Sequence, residues 1–164
     1  MLTDKTEFYI IGSSAILAVL ESPTDFVLAR SNEADLLTLC GDPALADRIS
    51  VLIGELSPFH DNHDVYAEGC TFDTPTFAPT GWRDRAIPVR YEDIGVTAHF
   101  MELHDLFLSK MGAGRPKDLE FCSALVRTQY IDQEELLERI PVIPCTDGER
   151  ASIAARVQAC FDGK

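Results

Sequence analysis

Phe8-Tyr9-Ile10-Ile11-Gly12-Ser13-Ser14-Ala15-Ile16-Leu17-Ala18-Val19-Leu20 is the stretch whose reading decides the fold. Four β-prone residues run into a glycine, and the small and aliphatic residues beyond it suit a buried helix. The stretch therefore reads as strand, tight turn, helix. Moving outward, Ser22-Pro23-Thr24-Asp25 breaks that helix and Phe26-Val27-Leu28 reads as a short extended piece. Residues 30–39 follow, where Ala34 and Leu36 alternate with Glu33 and Asp35, as in a strand with one wet end. Asp42-Pro43 supplies an N-cap and then proline at the first helical position, which predicts a helix over 43–56 with Leu45, Ile49, Leu52 and Ile53 on one stripe.

Residues 57–85 show turn signals and little periodicity, apart from a possible strand at 65–69, and read mostly as loop or short hairpin. Two further strands are expected at 86–91 and 95–100. From Glu102 the character changes to helical: 102–113, 116–127 with Pro116 in the first turn, 132–140 behind an Asp cap, and 146–161 behind Thr146 with Glu149 three residues on, a capping box. The expected class is α+β: a small mixed sheet with flanking helices over 1–101, and a helical part over 102–164 packed on it as a single compact unit.

Composition agrees with one globular domain. The chain has 164 residues, 46% hydrophobic and 25% charged, a length at which roughly 70% of the unfolded surface can be buried without a disulfide or metal to help. The formal charge is −13, the wrong sign for a general nucleic-acid-binding face. Residues 1–100 carry 6 basic against 16 acidic side chains, so a phosphate group bound in that half needs a cation beside it. The five cysteines (Cys40, Cys70, Cys122, Cys145, Cys160) are odd in number and contain no C-x-x-C, which argues against a zinc knuckle or a disulfide framework and for reduced thiols. Residues 8–20, the longest apolar stretch, are too short to span a bilayer and lack a charged leader. The expected location is cytoplasmic, with no membrane partner.

Two features carry chemistry. At Gly12-Ser13, glycine permits close backbone approach, and the free N–H groups of the following helix form an anion site suited to a nucleotide's phosphates; a small pair at a turn also serves packing alone. At Ser31-Asn32-Glu33-Ala34-Asp35, two carboxylates at i and i+2 on a strand project to one face about 7 Å apart. That spacing suits one or two hard divalent ions, although a solvated strand end gives the same pattern.

Together, a GS turn opening a helix and an acid-hydrophobe-acid on the next strand (Gly12-Ser13, then Glu33-Ala34-Asp35-Leu36) resemble the signature of the nucleotidyltransferase superfamily. The resemblance implies that Gly12 and Ser13 hold a triphosphate. It implies further that Glu33 and Asp35 hold Mg²⁺ or Mn²⁺, aligning an acceptor hydroxyl with the α-phosphorus of an NTP. The chain departs from the pattern in having Glu at the first acid position and a longer gap from Ser13 to Glu33, with residues 21–29 looking inserted. The run His104 to Phe121 resembles the K-x-x-A-x-R-x-K-D stretch of nucleotidyltransferase-fold proteins related to AbiEii-type toxins, here Lys110, Ala113, Arg115, Lys117 and Asp118. Ile53-Gly54-Glu55-Leu56-Ser57-Pro58-Phe59-His60, Tyr66-Ala67-Glu68-Gly69 and Gly81-Trp82-Arg83-Asp84-Arg85 add a resemblance to an uncharacterised bacterial nucleotidyltransferase-like family of about this length. The implied nucleotide contacts are Gly12, Ser13, Ser31, Lys110, Arg115 and Lys117.

The two-metal scheme uses a third carboxylate as base toward the acceptor. Glu68 and Asp73 are the candidates, and neither sits in a clean hydrophobe-acid-hydrophobe strand. Asp118 is either part of the site or a first-turn acid that complements the helix dipole. His60-Asp61-Asn62-His63-Asp64 reads as a polar capping turn before it reads as a metal loop, Trp82 as a core anchor before a base-stacking residue, and Glu134, Glu135 and Glu138 as a solvated helix face. Two functions follow from the resemblance. One is nucleoside monophosphate transfer from an NTP to a hydroxyl acceptor. The other is a catalytically inactive protein of the same fold that binds a protein partner or a second copy of itself, as in a toxin–antitoxin or defence pair.

Overall fold

The computed structural model describes residues 5–20, 26–29 and 32–163. In chain order they form β1 (Glu7–Ile11), a 3-10 helix (Ser13–Ala18), α1 (Phe26–Ala29), β2 (Glu33–Thr38), α2 (Pro43–Ile53), α3 (Pro58–His63), β3 (Tyr66–Cys70), α4 (Trp82–Arg85), β4 (Ile87–Tyr91), β5 (Val96–Phe100), α5 (Leu103–Ala113), α6 (Pro116–Arg127), α7 (Gln133–Arg139), a 3-10 turn (Ile140–Val142) and α8 (Asp147–Asp162). The class is α+β, as the alternation of strand and helix signals indicates. These residues divide into two compact units. The first holds 5–20, 32–74 and 86–101, and the second holds 26–29, 75–85 and 102–163.

The first unit is built on a five-stranded sheet in the order β3-β2-β1-β5-β4. β1 runs antiparallel to β2 and parallel to β5, β2 runs parallel to β3, and β4 and β5 form an antiparallel pair. The register sorts the side chains, because alternate residues point to opposite faces. Tyr9 and Ile11 stand over Leu37 and Asp35 on one face, together with Tyr66, Glu68 and Cys70. The other face carries Ala67, Ala98 and Phe100, all buried, and α2 packs there through Ala46 and Ile49. The approach is close: a Cβ on Gly69 would lie 2.0 Å from the Ala46 carbonyl oxygen, so only glycine fits. Ser50 Oγ accepts the Gly69 N–H at 2.9 Å, which fixes helix to strand.

Local chemistry explains where the elements differ from expectation. Asp42 caps α2 through the Ala44 N–H and Pro43 follows it, but the helix ends at Ile53, three residues early, where Gly54 leaves helical geometry. Ser57-Pro58 then repeats the same signature and starts α3, in a stretch that the sequence suggested was loop. Residues 13–18 form a 3-10 helix rather than an α-helix, opened by Gly12 at φ 67 without a side-chain cap. Residues 26–29 make one helical turn instead of an extended piece; four residues are too few for periodicity to distinguish the two.

In the second unit α5 is apolar around most of its circumference. Leu106, Phe107, Leu108 and Met111 are fully buried, and the facing core comes from Phe121, Leu125, Leu136, Ile153 and Val157. Gly114 ends α5 at φ 63, Arg115 and Pro116 open α6, and the Thr146–Glu149 capping box starts α8. The buried carboxylate of α5 is paired. Asp105 is fully buried and takes both Arg85, at 2.8 and 3.0 Å, and Arg139, at 2.9 Å. Arg139 also reaches Glu102 at 2.5 Å and Glu135. Trp82 is buried, in keeping with a core anchor. Among the described residues no helix is long and apolar enough to cross a membrane.

Candidate functional site

Gly12 and Asp35 form the joint from which the site grows. Asp35 lies opposite Ile11, the residue before Gly12, and a Cβ built on Gly12 would fall 1.8 Å from Asp35 Oδ2. The carboxylate therefore rests on the bare α-carbon of the turn. Two requirements meet at this glycine, close approach and a positive φ of 67 with ψ −162, a region essentially closed to other residues. Ser13 opens the 3-10 helix, and Ser14, buried behind it, donates its hydroxyl to the Glu33 carbonyl and ties the turn to the start of β2. The strand-to-turn piece and the acid-bearing strand are thus one joined structure.

Of the two candidates for a third acid, Glu68 lies on β3. Parallel pairing sets Asp35 directly beside Glu68 and Glu33 beside Tyr66, so Glu33, Asp35 and Glu68 all emerge on one face of adjacent strands. Asp73 lies beyond the end of β3, exposed in a turn, and does not share that register. One Glu68 oxygen, Oε1, accepts the Glu55 N–H at 2.9 Å. The electrostatics follow from this grouping. Partial burial pushes the Tyr66 phenol up, and so do the negative charges of Glu33, Glu55, Glu68 and Asp35 around it. Burial, reinforced by the nearby Asp35 charge, pushes the Cys70 thiol up to about 12, which makes it a poor nucleophile.

A hard divalent cation fits this donor set in kind: two or three carboxylates on one face supply the oxygen ligands such ions take. Among the described residues no group of three or more His, Cys, Asp and Glu side chains is already gathered to hold a metal ion. A Mg²⁺ site does not require such a cage, since it commonly rests on one or two carboxylates, with water and substrate phosphate oxygens completing the shell.

The basic residues proposed as phosphate contacts belong to the second unit. Lys110 lies 3.5 Å from Asp118 Oδ1 and 4.6 Å from the centre of the Phe121 ring, and Arg115 pairs with both Asp118 oxygens, at 2.6 and 3.2 Å. Asp118 is fully buried. Burial lowers the Lys110 ammonium, although the Asp118 charge opposes this. Burial likewise raises the Asp118 carboxyl, but its bonds to Arg115 and the Lys110 charge hold it below the usual range. Any phosphate on Lys110 or Arg115 therefore competes with a buried carboxylate. Lys117 is exposed on α6, and because Gly114 separates α5 from α6, Lys110 and Lys117 do not share one helix face. Ser31 lies outside the described residues.

The 60–64 stretch is part of α3 and its cap: Ser57 Oγ accepts the His60 N–H at 3.2 Å, and Asp64 ends the helix in the left-handed region. Sequence reasoning passed over Tyr66 and Glu55. The signal for Tyr66 was present in the alternation of Tyr66, Glu68 and Cys70, but a five-residue strand containing a glycine carries it weakly.

A family model described as "Nucleotidyltransferase of unknown function (DUF6036)" matches residues 2–142, from ahead of β1 to the 3-10 turn that precedes α8. No curated protein and no solved structure matches the chain.

Proposed function

We propose, on the premise that this chain belongs to the DUF6036 family of nucleotidyltransferases of unknown function, that it moves a nucleoside monophosphate from an NTP to a hydroxyl acceptor in a Mg²⁺-dependent reaction. The observation that carries the reading is the contact of Gly12 with Asp35, and the pairing of Asp35 with Glu68, on a single sheet face. Gly12 and Ser13 give the triphosphate a turn that it can approach without side-chain obstruction. Glu33 and Asp35 would hold Mg²⁺, which when bound neutralises phosphate charge and lowers the barrier to displacement. Glu68 is the base: its carboxylate takes the proton of the acceptor hydroxyl as that oxygen bonds to the α-phosphorus and the bond to the leaving pyrophosphate breaks.

Calorimetric titration with a nonhydrolysable ATP or GTP analogue, with and without Mn²⁺, tests the reading. Metal-dependent binding, lost in a Glu33→Ala/Asp35→Ala variant that still folds, is expected. Unchanged binding in that variant would remove both acids from the site.

One feature favours a second reading, in which the fold is kept for association without turnover. The first acid is Glu, where the superfamily pattern has Asp. In that case no NTP binds, and the chain copurifies with a protein partner or pairs with a second copy of itself.

A further inference from the structure

Residues 54–57 connect α2 to α3 in a turn whose backbone is unusual. Leu56 sits at φ 62, although leucine has a Cβ that disfavours the left-handed region, and its side chain is 82% exposed, so no burial accounts for the conformation. What holds it is a set of hydrogen bonds. His60 Nδ1 accepts the Leu56 N–H at 3.1 Å, Ser57 N–H reaches the Gly54 carbonyl at 3.2 Å, and Ser57 in turn caps α3, the helix that carries His60. Accepting at Nδ1 leaves the proton of the neutral ring on Nε2. The same imidazole lies 4.7 Å from the Tyr66 ring, which fixes its plane against β3.

The next residue back faces the acids. Glu55 N–H donates to Glu68 Oε1 at 2.9 Å, and a Cβ on Gly54 would lie 2.8 Å from that oxygen and 2.2 Å from the Ser50 carbonyl oxygen. The turn thus grips one oxygen of Glu68 closely, while Oε2 accepts no hydrogen bond from the described residues. A carboxylate anchored by one oxygen has its second oxygen aimed, which is the arrangement a metal ligand or a base needs.

We propose that His60 is a positioning residue for Glu68: by accepting the Leu56 N–H it locks the turn 54–57, and the Glu55 N–H of that turn orients the carboxylate of Glu68, the residue paired with Asp35 on the neighbouring strand. This rests on the nucleotidyl-transfer reading for its purpose and on hydrogen bonding for its mechanism. His60 touches neither nucleotide nor metal in this scheme. It acts through two backbone amides.

Two substitutions separate the lock from the ring. His60→Asn puts Oδ1 where Nδ1 stood and keeps an acceptor for Leu56, whereas His60→Phe keeps a ring against Tyr66 and removes the acceptor. In the full chain, hydrogen exchange of the Glu55 amide reads the turn, electron paramagnetic resonance titration of Mn²⁺ with a nonhydrolysable NTP reads the metal site, and pyrophosphate release from a hydrolysable NTP reads the base. The Asn variant is expected to match the wild type in all three. The Phe variant is expected to lose Glu55 protection and, with Glu33 and Asp35 still taking up Mn²⁺ as in the wild type, to release pyrophosphate from a hydrolysable NTP about 100-fold more slowly, the usual consequence of displacing a general base. If His60→Phe does not fold, His60→Ala is read the same way. A Phe or Ala variant with wild-type Glu55 protection or wild-type pyrophosphate release overturns the positioning role. A wild-type chain that takes up no Mn²⁺ with NTP overturns the nucleotidyl-transfer reading itself, and the role falls with it.

Discussion

Gly12→Ala perturbs the joint on which the site is built, and its consequences separate into two parts. The backbone part comes from φ 67 and ψ −162, a region that an L side chain enters at a cost of about 1–3 kcal/mol. For a chain of this size such a loss corresponds to a fall in melting temperature of about 2–12 °C. The side-chain part comes from the 1.8 Å approach of the new Cβ to Asp35 Oδ2, with Cγ at 3.0 Å. The clash is with the end of a side chain, so the carboxylate rotates away and stability loses little more, but Asp35 leaves its place. Displacing a positioned group by about 1 Å commonly weakens function about 100-fold, and NTP·Mn²⁺ affinity should fall on that scale. Urea unfolding measures the first part and calorimetry the second. In an Asp35→Ala background only the backbone part should remain, because the clash partner is gone. Gly148→Ala, in the first turn of α8 with nothing within 4 Å of the new Cβ, should instead stabilise by about 0.4–1 kcal/mol. A Gly12→Ala protein within 0.5 kcal/mol of wild type (roughly the scatter of surface substitutions) would refute the conformational reasoning. Wild-type affinity in that variant would refute the contact with Asp35.

Three other outcomes follow from the polar groups. Asp105→Ala removes the shared partner of Arg85 and Arg139 and should destabilise by about 3–5 kcal/mol, because both guanidinium groups lose their buried counterion; an unfolding free energy within 1 kcal/mol of wild type would show that the network is idle. Burial raises the Glu102 carboxyl, but hydrogen bonds from the His104 ring, from Arg139 and from the His104 backbone overcome that and hold it at about 2. A folded value below the unfolded one means stability that is complete above about pH 5 and is lost as the pH falls toward 2, so acid unfolding of Glu102→Gln should show a shallower pH dependence across that window. Cys40 is exposed and its thiol is lowered by a hydrogen bond with Thr38, whereas burial raises Cys70 and Cys122. Mass spectrometry after brief alkylation of the native protein at pH 8 should find Cys40 modified well before those two, and equal labelling would contradict the packing around them.

Much of this molecule is legible where local chemistry is strong. Asp42, Asp132 and the Thr146–Glu149 box each mark a helix start, because a helix end leaves N–H groups that nearby side chains satisfy, and Pro116 marks another because its fixed φ and missing N–H suit the first turn. The strands at 7–11, 33–38, 87–91 and 96–100 follow from β-prone runs bounded by turns. Short elements escaped: α3 and α4 have six and four residues, less than two turns, and give periodicity no room to register. The pairing of acids at 33 and 35 was legible because a period of two is local to one strand.

Sequence by itself therefore determined the longer elements, the caps at Asp42, Asp132 and Thr146, the shared face of Glu33 and Asp35, and the need for glycine at a tight turn, since all of these depend on neighbours a few residues apart. Tertiary structure alone decided that Asp35 rests on Gly12, that Glu68 rather than Asp73 stands beside it, and that a backbone amide from a turn between two helices grips Glu68. It also decided that Lys110 and Arg115 converge on Asp118. The physical reason is that strand register and the burial of a charge are settled by which surfaces exclude water together, and residues far apart along the chain set those surfaces.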